Sequence, residues 1–307
     1  MKNNVAIFLK KSVILLVIIV AADVVLGNLL EHFYFKMKTG QSSRITHVLT
    51  KIDEDLVVFG SSRANHHYVP HILEDSLHVS AYNAGIDGQS MLFQYCALVS
   101  MKGKKMPKII VLDLNQDWFD ESATAYDRLY VMLPYYKVCK NIQPIVNLRS
   151  RFEPVKTIST LYRYNYFILP ILANNTINRN DKEEAIQGYV PLFKTIKLPL
   201  VAKKVEKSTG LDTVKVNIFK SFIRDAKNAD CKVFVCISPF FKRINDKPLT
   251  FSTAEKICSE ENIPFNDYSN LPIFSGHPEL FDDANHLNNT GAEMYSRIIA
   301  SVIKKSL

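Results

Sequence analysis

A pair of serines follows a short apolar run early in the chain. Residues 57–68 read VVFGSSRANHHY, so Gly60, Ser61 and Ser62 come directly after a segment that is typical of a buried strand. A serine hydroxyl at a strand-to-helix turn can act as a nucleophile if an imidazole takes its proton and an acid orients that imidazole. The alternative interpretation is that Ser62 is an ordinary helix N-cap. The choice depends on whether the chain supplies a base and an acid.

Candidates for both stand together near the C-terminus. In the segment FDDANHLNNTGAE, Asp283 precedes His286 by three residues and Asp282 precedes it by four. One loop with this spacing can hold a carboxylate against imidazole Nδ1 while Nε2 points toward a nucleophile. We therefore predict Ser62, Asp283 and His286 as catalytic residues, with Asp282 as the alternative acid. The competing interpretation is an ordinary loop histidine beside a turn-forming aspartate.

Apolar runs alternate with amphipathic segments along much of the chain. Strands are predicted at Leu56–Phe59, Val79–Tyr82, Lys108–Leu114, Lys232–Ser238 and Pro264–Asn266. Helices are predicted at Met91–Met101, Asp212–Ala229, Ser252–Glu261 and from Thr290 to the C-terminal lysines, with Thr290 and Glu293 in capping-box spacing. The alternation predicts an α/β fold, a three-layer α/β/α sandwich with a parallel sheet. Ligands of such sheets bind beyond the carboxyl ends of the strands, where the serine pair, Gly88 and Asn115 fall.

Four sequence blocks resemble those of a known superfamily. FGSSR, YNAGIDGQS, VLDLN and DDANHLN occur in this order, and together they are similar to the blocks of the SGNH, or GDSL-like, hydrolases. Within that superfamily the chain resembles membrane-anchored members involved in cell-envelope O-acylation, such as alginate acetylation and teichoic-acid D-alanylation. The resemblance implies that Ser62 is the nucleophile and that Asp283 and His286 form the Asp-x-x-His pair. It also implies an oxyanion hole that includes the backbone N–H groups of Ser62 and Gly88.

The third block departs from the family pattern. The family usually has Gly-x-Asn-Asp there, with the asparagine donating to the oxyanion, whereas this chain has LNQDW after the strand. Asn115 is the nearest match to that asparagine, Asp117 is the match by strict register, and the glycine is missing. Asn115 is included as a third predicted member of the oxyanion hole.

Several charged residues near the serine pair have simpler interpretations than substrate or metal binding. Arg63 either meets an anionic substrate group or pairs with a carboxylate. The nearby histidines at positions 66, 67 and 71 are not joined by one helix, because Pro70 interrupts it, and no carboxylate stands in a ligand motif. We interpret these histidines as a polar rim and predict no metal site.

The N-terminal segment has the length and composition of a membrane helix. Ser12–Leu30 contains one charge, Asp23, in an otherwise apolar run that is about long enough to cross a bilayer. Lysines precede the run (Lys2, Lys10 and Lys11), and the aromatic segment HFYF follows it, which favours a cytoplasmic N-terminus and an extracytoplasmic remainder. A cleaved signal peptide is the alternative, with VLG before Asn28 as the cleavage site. Asp23 indicates either a helix partner or a protonated carboxyl.

The predicted domain organisation follows from these features. It comprises a membrane anchor at 1–35, a polar linker at 36–50 and an SGNH hydrolase-like domain at 51–307. Within that domain the strand–helix alternation is lost at about 118–210, which is interpreted as an insertion that either lines a substrate groove or packs its own small core. The five cysteines have no metal-ligand spacing, and the net charge of +8 comes from scattered lysines, so neither indicates a metal or nucleic acid.

Two functions from different classes remain open at this point, beside a third interpretation, a lipase that prefers long-chain esters, which the aromatic insertion allows. The first is a membrane-anchored extracytoplasmic serine esterase or O-acyltransferase that works through an acyl-enzyme on an ester or glycan of the cell envelope, without a cofactor. The second is a non-catalytic SGNH-like scaffold that binds a glycan or a membrane-bound acyltransferase partner. The triad residues favour the first, and the irregular third block leaves room for the second.

Overall fold

The computed structural model describes residues 2–176, 185–199 and 210–307. The α-helices are α1 (Lys2–Phe35), α2 (Gly40–Thr50), α3 (Ser62–His67), α4 (Pro70–Leu77), α5 (Met91–Ser100), α6 (Ala123–Asp127), α7 (Gln143–Val146), α8 (Glu153–Lys156), α9 (Thr160–Tyr164), α10 (Ile168–Thr176), α11 (Thr213–Asn228), α12 (Leu249–Glu260) and α13 (Asn289–Ser306). The strands are β1 (Leu56–Gly60), β2 (Ala81–Asn83), β3 (Ile109–Asp113), β4 (Lys232–Ile237) and β5 (Phe265–Asp267). The chain divides into two compact units, Met1–Ser43 with Leu129–Asp181, and Arg44–Arg128 with Lys182–Leu307.

The larger unit is built on a parallel sheet. Its strands have the order β2-β1-β3-β4-β5 among the described residues, and each neighbouring pair is parallel. Leu56 of β1 lies opposite Ile109 of β3, and Gly60 lies opposite Asp113, so these two central strands end at the same level. The chain order changes direction between β1 and β3, which is where open α/β sheets place their ligand sites. The predicted α/β fold with a parallel sheet is confirmed.

Helices cover both faces of this sheet. Along β1 and β3, alternate side chains face opposite layers, because successive residues of a strand point to opposite sides. Val58 and Val111 belong to a core cluster that includes Leu73 of α4 and Ile299 of α13. On the other face the ring of Phe59 packs edge-on against a phenylalanine of α11, with centroids 5.4 Å apart. The central strands are apolar throughout because both of their faces are buried.

Two local predictions differ from the structure. The C-terminal helix is capped by Asn288, whose side chain accepts a hydrogen bond from the Gly291 N–H at 3.1 Å, and not by Thr290. Residues 36–50, predicted as a linker, contain α2, in which Ile45, Val48 and Leu49 are buried. Their spacing is that of one apolar helix face, which explains why a segment with polar average composition packs into the fold.

The smaller unit combines α1 with part of the predicted insertion. Helix α1 is long and apolar enough to cross a membrane, with a mean hydropathy of 2.8 over its most apolar stretch. Near its end, Tyr34 lies in an aromatic cluster with Tyr135, Tyr164 and Phe167, at ring-centroid distances of 5.9, 5.7 and 4.9 Å. This part of the insertion packs a small core of its own. The parts of the insertion at 177–184 and 200–209 lie outside the described residues.

Candidate active site

Ser62, His286 and Asp283 form one chain of hydrogen bonds in the larger unit. His286 Nε2 lies 2.8 Å from Ser62 Oγ. Its Nδ1 lies 3.0 and 2.9 Å from the two carboxylate oxygens of Asp283. Because an ionised carboxylate only accepts, Nδ1 carries the proton and Nε2 accepts the hydroxyl proton of Ser62. The structure therefore brings together the three residues that the sequence predicts as catalytic, although Ser62 and His286 are 224 positions apart.

The turn after β1 directs Ser62 toward this histidine. Gly60 ends the strand with a φ of +156°, and a Cβ at this position would lie 2.4 Å from the Cβ of Ala64. Only glycine allows the strand to turn so tightly into α3. The N-cap of α3 is Ser61, without a side-chain capping bond, and Ser62 is the first helical residue. The interpretation of Ser62 as an N-cap is therefore wrong, and its hydroxyl is directed at His286.

The acid is held by several donors at once. Besides the imidazole, Asp283 accepts hydrogen bonds from the backbone N–H groups of Asn285 at 2.7 Å and His286 at 3.0 Å. Burial opposes its charge, but these bonds and the charge of His286 outweigh burial and lower the pKa of Asp283 to about 2. The carboxylate is thus ionised at neutral pH. Asp282 instead accepts from the Lys194 N–H at 2.8 Å, so Asp283 is the carboxylate on the imidazole.

A buried histidine that the sequence analysis did not assign to the site positions the same loop. His67 of α3 is fully buried, and its Nε2 accepts the backbone N–H of Leu287 at 3.0 Å. Its Nδ1 donates to Ser238 Oγ at 2.9 Å. Since Leu287 directly follows His286, this bond ties the base-bearing loop to the helix that starts at the nucleophile. Nothing local in the sequence indicates this role, because the bond joins residues 220 positions apart.

Arg63 completes the buried polar network behind the site. Its guanidinium donates to Ser238 Oγ and to the Ser238 carbonyl, and it lies 4.0 Å from the carboxylate of Asp113. It also lies 3.6 Å from the ring centroid of Phe240. Asp113 is held in turn by Tyr68 Oη and by the Ser238 N–H, both at 2.9 Å. Of the two interpretations offered for Arg63, the structure favours pairing with a carboxylate, because this arginine is buried, faces Asp113, and donates through Nε and Nη2 to Ser238.

The predicted oxyanion residues lie around one cleft. Ser62, Gly88 and Asn115 all line a cleft of about 520 Å³, and Ser62 and Asn115 also line an adjoining one of about 190 Å³ that includes His286. Gly88 adopts a left-handed backbone conformation, with a φ of +71°, and its carbonyl accepts from Arg128. Among the residues that the structure describes, the backbone N–H groups of Ser62 and Gly88 have no hydrogen-bond partner. Both are therefore open to a ligand in the cleft.

The histidine cluster is more buried than a polar rim. His66 and His67 are both buried, and His66 Nδ1 bonds to the carbonyl of Val190 at 2.7 Å while Nε2 faces Asp87 Oδ2 at 3.5 Å. The rim interpretation is therefore wrong for these two. In the described ranges, no group of three histidine, cysteine or acidic side chains is arranged to hold a metal ion.

Comparisons with known proteins add solved structures of similar topology. No protein-family model and no curated protein matches the chain. A protein from Bacteroides fragilis assigned as an acylhydrolase is 16% identical, with a TM-score of 0.39, over 83% of this chain and 88% of that one. A GDSL-like lipase from Bacteroides thetaiotaomicron is 12% identical, with a TM-score of 0.37, over 82% and 88%.

A third solved structure is a catalytic mutant of an acetylxylan esterase from Geobacillus stearothermophilus. It is 9% identical, with a TM-score of 0.39, over 82% of this chain and 94% of that one.

Proposed function

We propose that this chain is a serine-dependent ester hydrolase or O-acyltransferase that forms an acyl-enzyme on Ser62. The observation that carries the proposal is the continuous hydrogen-bond chain from Ser62 through His286 to Asp283, beside an open cleft. A nucleophile, a base within hydrogen-bond reach and an acid that fixes the base's tautomer are what acyl transfer requires. The two backbone N–H groups that face no protein partner supply the fourth requirement, an oxyanion site.

The reaction follows from the direction of these bonds. Ser62 Oγ attacks the acyl carbonyl while its proton passes to His286 Nε2, and the carbonyl π electrons move onto oxygen. The ester C–O bond then breaks, and His286 returns the proton to the departing alcohol, which leaves an acyl group on Ser62. A water or a sugar hydroxyl then attacks this ester and gives its proton to His286. The bond between Ser62 Oγ and the acyl carbon breaks, His286 returns the proton to Ser62 Oγ, and the free acid or the acylated sugar leaves. Asp283 stays ionised throughout and stabilises the imidazolium.

The oxyanion contacts come from the strand ends. The N–H groups of Ser62 and Gly88 would donate to the carbonyl oxygen as it becomes negative, and each such donor commonly contributes about 3–4 kcal/mol to transition-state stabilisation. Asn115 lines the same cleft and is the candidate for a third donor. Its contribution is the part of the proposal that rests on the irregular third block.

A polar ester is the substrate class that suits the cleft. Its lining is dominated by side chains that hydrogen-bond, among them Asp117, Glu121, Thr124 and Arg128, with Trp118 as the large apolar contribution. Long acyl chains require apolar walls, whereas hydroxyl-rich sugars require donors and acceptors. We therefore favour a short acyl ester on a glycan over a lipid ester. A glycan of the cell envelope is the specific form that the family resemblance suggests.

Membrane anchoring by α1 is the second part of the proposal. Asp23 accepts from the Thr160 N–H at 2.9 Å and the Leu161 N–H at 3.2 Å, and Gly27 packs directly against Thr160. Removal of α1 by a signal peptidase would take these contacts away, so they support an uncleaved anchor. The lysines before α1 favour an extracytoplasmic catalytic unit. A membrane-bound acyltransferase that supplies the acyl group is the partner class that the resemblance suggests, and co-purification from membranes is the test.

Hydrolysis of p-nitrophenyl acetate by the full chain in detergent tests the enzymatic proposal. We expect turnover by the wild type and a loss of about 10³-fold or more in Ser62→Ala and His286→Ala. Adding an oligosaccharide acceptor separates the two outcomes for the acyl group, because a transferase esterifies the acceptor and an esterase releases acetate. Equal rates in wild type and both variants would refute the triad. A wild type that binds a glycan but neither turns over nor forms an adduct would favour the non-catalytic scaffold.

A further inference from the structure

The smaller unit carries an exposed apolar surface that the catalytic proposal does not use. The segment 152–172, which contains α8 to α10, exposes Phe152, Val155, Ile158, Leu169 and Leu172, with exposed fractions of 53, 66, 73, 77 and 52%. We call these five residues the apolar rim. They belong to the unit that contains α1, and the apolar side chains of α1 are themselves mostly half or more exposed. Exposed apolar surface of this extent in a folded unit needs a cover.

The position of the apolar rim along α1 is fixed by Asp23. The carboxylate of Asp23 accepts hydrogen bonds from Ser159, Thr160 and Leu161, so the start of α9 lies at the level of this residue. From Lys11 to Asp23, α1 rises about 18 Å at 1.5 Å per residue. A hydrocarbon core of about 30 Å that begins beside Lys11 therefore extends well past Asp23. On this placement the turn that carries Ile158 lies inside the membrane.

The opposite placement is energetically worse. Keeping the start of α9 in water would end the hydrocarbon core near Ala22, and a span of about 30 Å would then reach back to the first residues of the chain. Lys10 and Lys11 would be drawn into the core, at a cost of roughly 2.5–3.5 kcal/mol for each charge near the centre of the bilayer. Immersing the apolar rim costs no such penalty, because its exposed side chains are hydrocarbon themselves.

The backbone of this segment also fits a hydrocarbon environment. Every backbone N–H from Val155 to Tyr162 has a hydrogen-bond partner, either within the segment or on Asp23. The start of a helix normally leaves several N–H groups open to water, and lipid cannot satisfy them. At α9, Asp23 and the Ser159 hydroxyl take these bonds. A segment in lipid requires such complete pairing, because no water is present to satisfy an open N–H.

The charged side chains near the apolar rim do not conflict with this placement. Glu153 is buried and accepts from Arg149 at 2.7 Å and from Tyr162 at 2.7 Å. Lys156 lies 3.3 Å from the same carboxylate, and its long side chain can carry the ammonium toward the headgroups. Arg151 is exposed next to Phe152, with its guanidinium 4.6 Å from the centroid of that ring, and its side chain is also long enough to reach the headgroups.

From these observations we propose that residues 152–172 are inserted into the half of the bilayer on the C-terminal side of α1, with the apolar rim in contact with lipid chains. The lipid bilayer, not a second protein, is the occupant that covers this surface. The inference rests on the membrane anchoring of the proposed function, since it takes α1 as a membrane helix. It adds that the short helices α8 to α10, as well as the membrane-crossing helix α1, hold the smaller unit in the bilayer.

Quenching of tryptophan by lipids brominated at mid-chain tests this placement in the full chain reconstituted in vesicles. Ile158→Trp is the first probe of the apolar rim. Val155→Trp is a second probe, which keeps the test valid if the first variant does not fold. Leu16→Trp on α1 reports whether the anchor itself lies in the bilayer. Leu249→Trp, at an exposed position of the larger unit, is the matched control. The buried native Trp118 fluoresces in all variants. The signal of the wild-type chain measures this background and is subtracted from the signal of each variant.

We expect brominated lipid to quench the probes at positions 158 and 155 as strongly as Leu16→Trp and to leave the control unchanged. Quenching of Leu16→Trp alone, with both probes no more quenched than the control, would overturn the inference and leave the anchor intact. No quenching at any position would overturn both the insertion of residues 152–172 and the membrane anchoring by α1. The proposal of acyl transfer by the larger unit would not be affected by that result. A surface covered by a partner protein predicts the first of these contradictory results, because the reconstituted chain alone would leave the rim in water.

Discussion

Proton positions decide the chemistry at the residue scale. The ionised Asp283 fixes the tautomer of His286 in which Nε2 is free to accept the Ser62 proton. The side chain of Asp283 is about half exposed, so its pairing with His286 contributes little to the stability of the fold. The role of Asp283 is to orient the imidazole. The neighbouring Asp282 offers the same charge one residue earlier, without contact to the imidazole, and so serves as a control.

Asp283→Asn is therefore expected to lower kcat by a factor on the order of 10²–10⁴ while KM stays near the wild-type value, because an amide can stabilise the wrong imidazole tautomer. Asp282→Asn should stay within a few-fold of wild type. Steady-state kinetics with p-nitrophenyl acetate measure both. Equal losses in the two variants would show that general charge, and not the bond to His286, is what matters.

His67 gives a second expectation at this scale, which concerns stability and pH. His67→Phe keeps the apolar contacts of the ring but leaves the buried Leu287 N–H without an acceptor, at a cost of about 1–3 kcal/mol. Burial, followed by the charges of Arg63, His286 and His66, holds the pKa of His67 well below its ordinary value of 6.5. The unfolded chain thus binds a proton that the folded chain does not, and stability falls as pH drops below about 6.5.

Urea unfolding between neutral and mildly acidic pH measures this contribution. Titration of His67 contributes at most about 1.4 kcal/mol per pH unit to the slope of the free energy of unfolding against pH. This slope should be shallower by that contribution in His67→Phe than in the wild type. Identical slopes in the two proteins would mean that His67 does not carry the pH dependence assigned to it.

At the scale of elements, the strand-to-helix turn of β1 and α3 holds the nucleophile. Gly60→Ala adds a Cβ that clashes with Ala64 in a backbone conformation that alanine rarely adopts. We expect a loss of roughly 2–5 kcal/mol from the combined strain and overpacking, with a fall in activity in the fraction that folds. Gly103→Ala also has a positive φ, of +83°, but meets open space, so it should cost only about 1–2 kcal/mol. Thermal unfolding measures the stability of both variants. Equal losses of stability in Gly60→Ala and Gly103→Ala would argue against a clash at position 60.

The elements also show how far sequence patterns reach. The strands were predictable because their apolar runs are local, and the Asp283–His286 pair was predictable because both lie in one loop. The helix α2 was missed, although Ile45, Val48 and Leu49 have helical spacing, because the segment is polar on average. The role of His67 could not be predicted, since it depends on a contact between distant parts of the chain.

At the scale of the whole molecule, the chain combines a unit built on a parallel sheet with a unit that contains the long apolar helix α1. The sequence indicated the anchor and left Asp23 with two explanations, a helix partner or a protonated carboxyl. The structure favours the partner, because the carboxylate takes the open N–H groups of α9. What no local pattern could predict is that part of the insertion provides this partner.

Retention of α1 is the expectation at this scale. Protein extracted from membranes should have the mass of the full chain, 35.0 kDa, because cleavage after Gly27 would remove Asp23 and its contacts with α9. Intact mass spectrometry of protein with a C-terminal tag measures this directly. A mature chain that starts at Asn28 would contradict the anchor and favour a signal peptide.

Covalent labelling tests most directly whether Ser62 is an activated nucleophile. The full chain is incubated with a fluorophosphonate, and the site of the adduct is read by intact mass and peptide mapping. We expect one adduct on Ser62 in the wild type, retained in Ser61→Ala, lost in Ser62→Ala and strongly slowed in His286→Ala. An adduct on Ser61, or no adduct on a folded wild-type protein with an open cleft, would contradict the account.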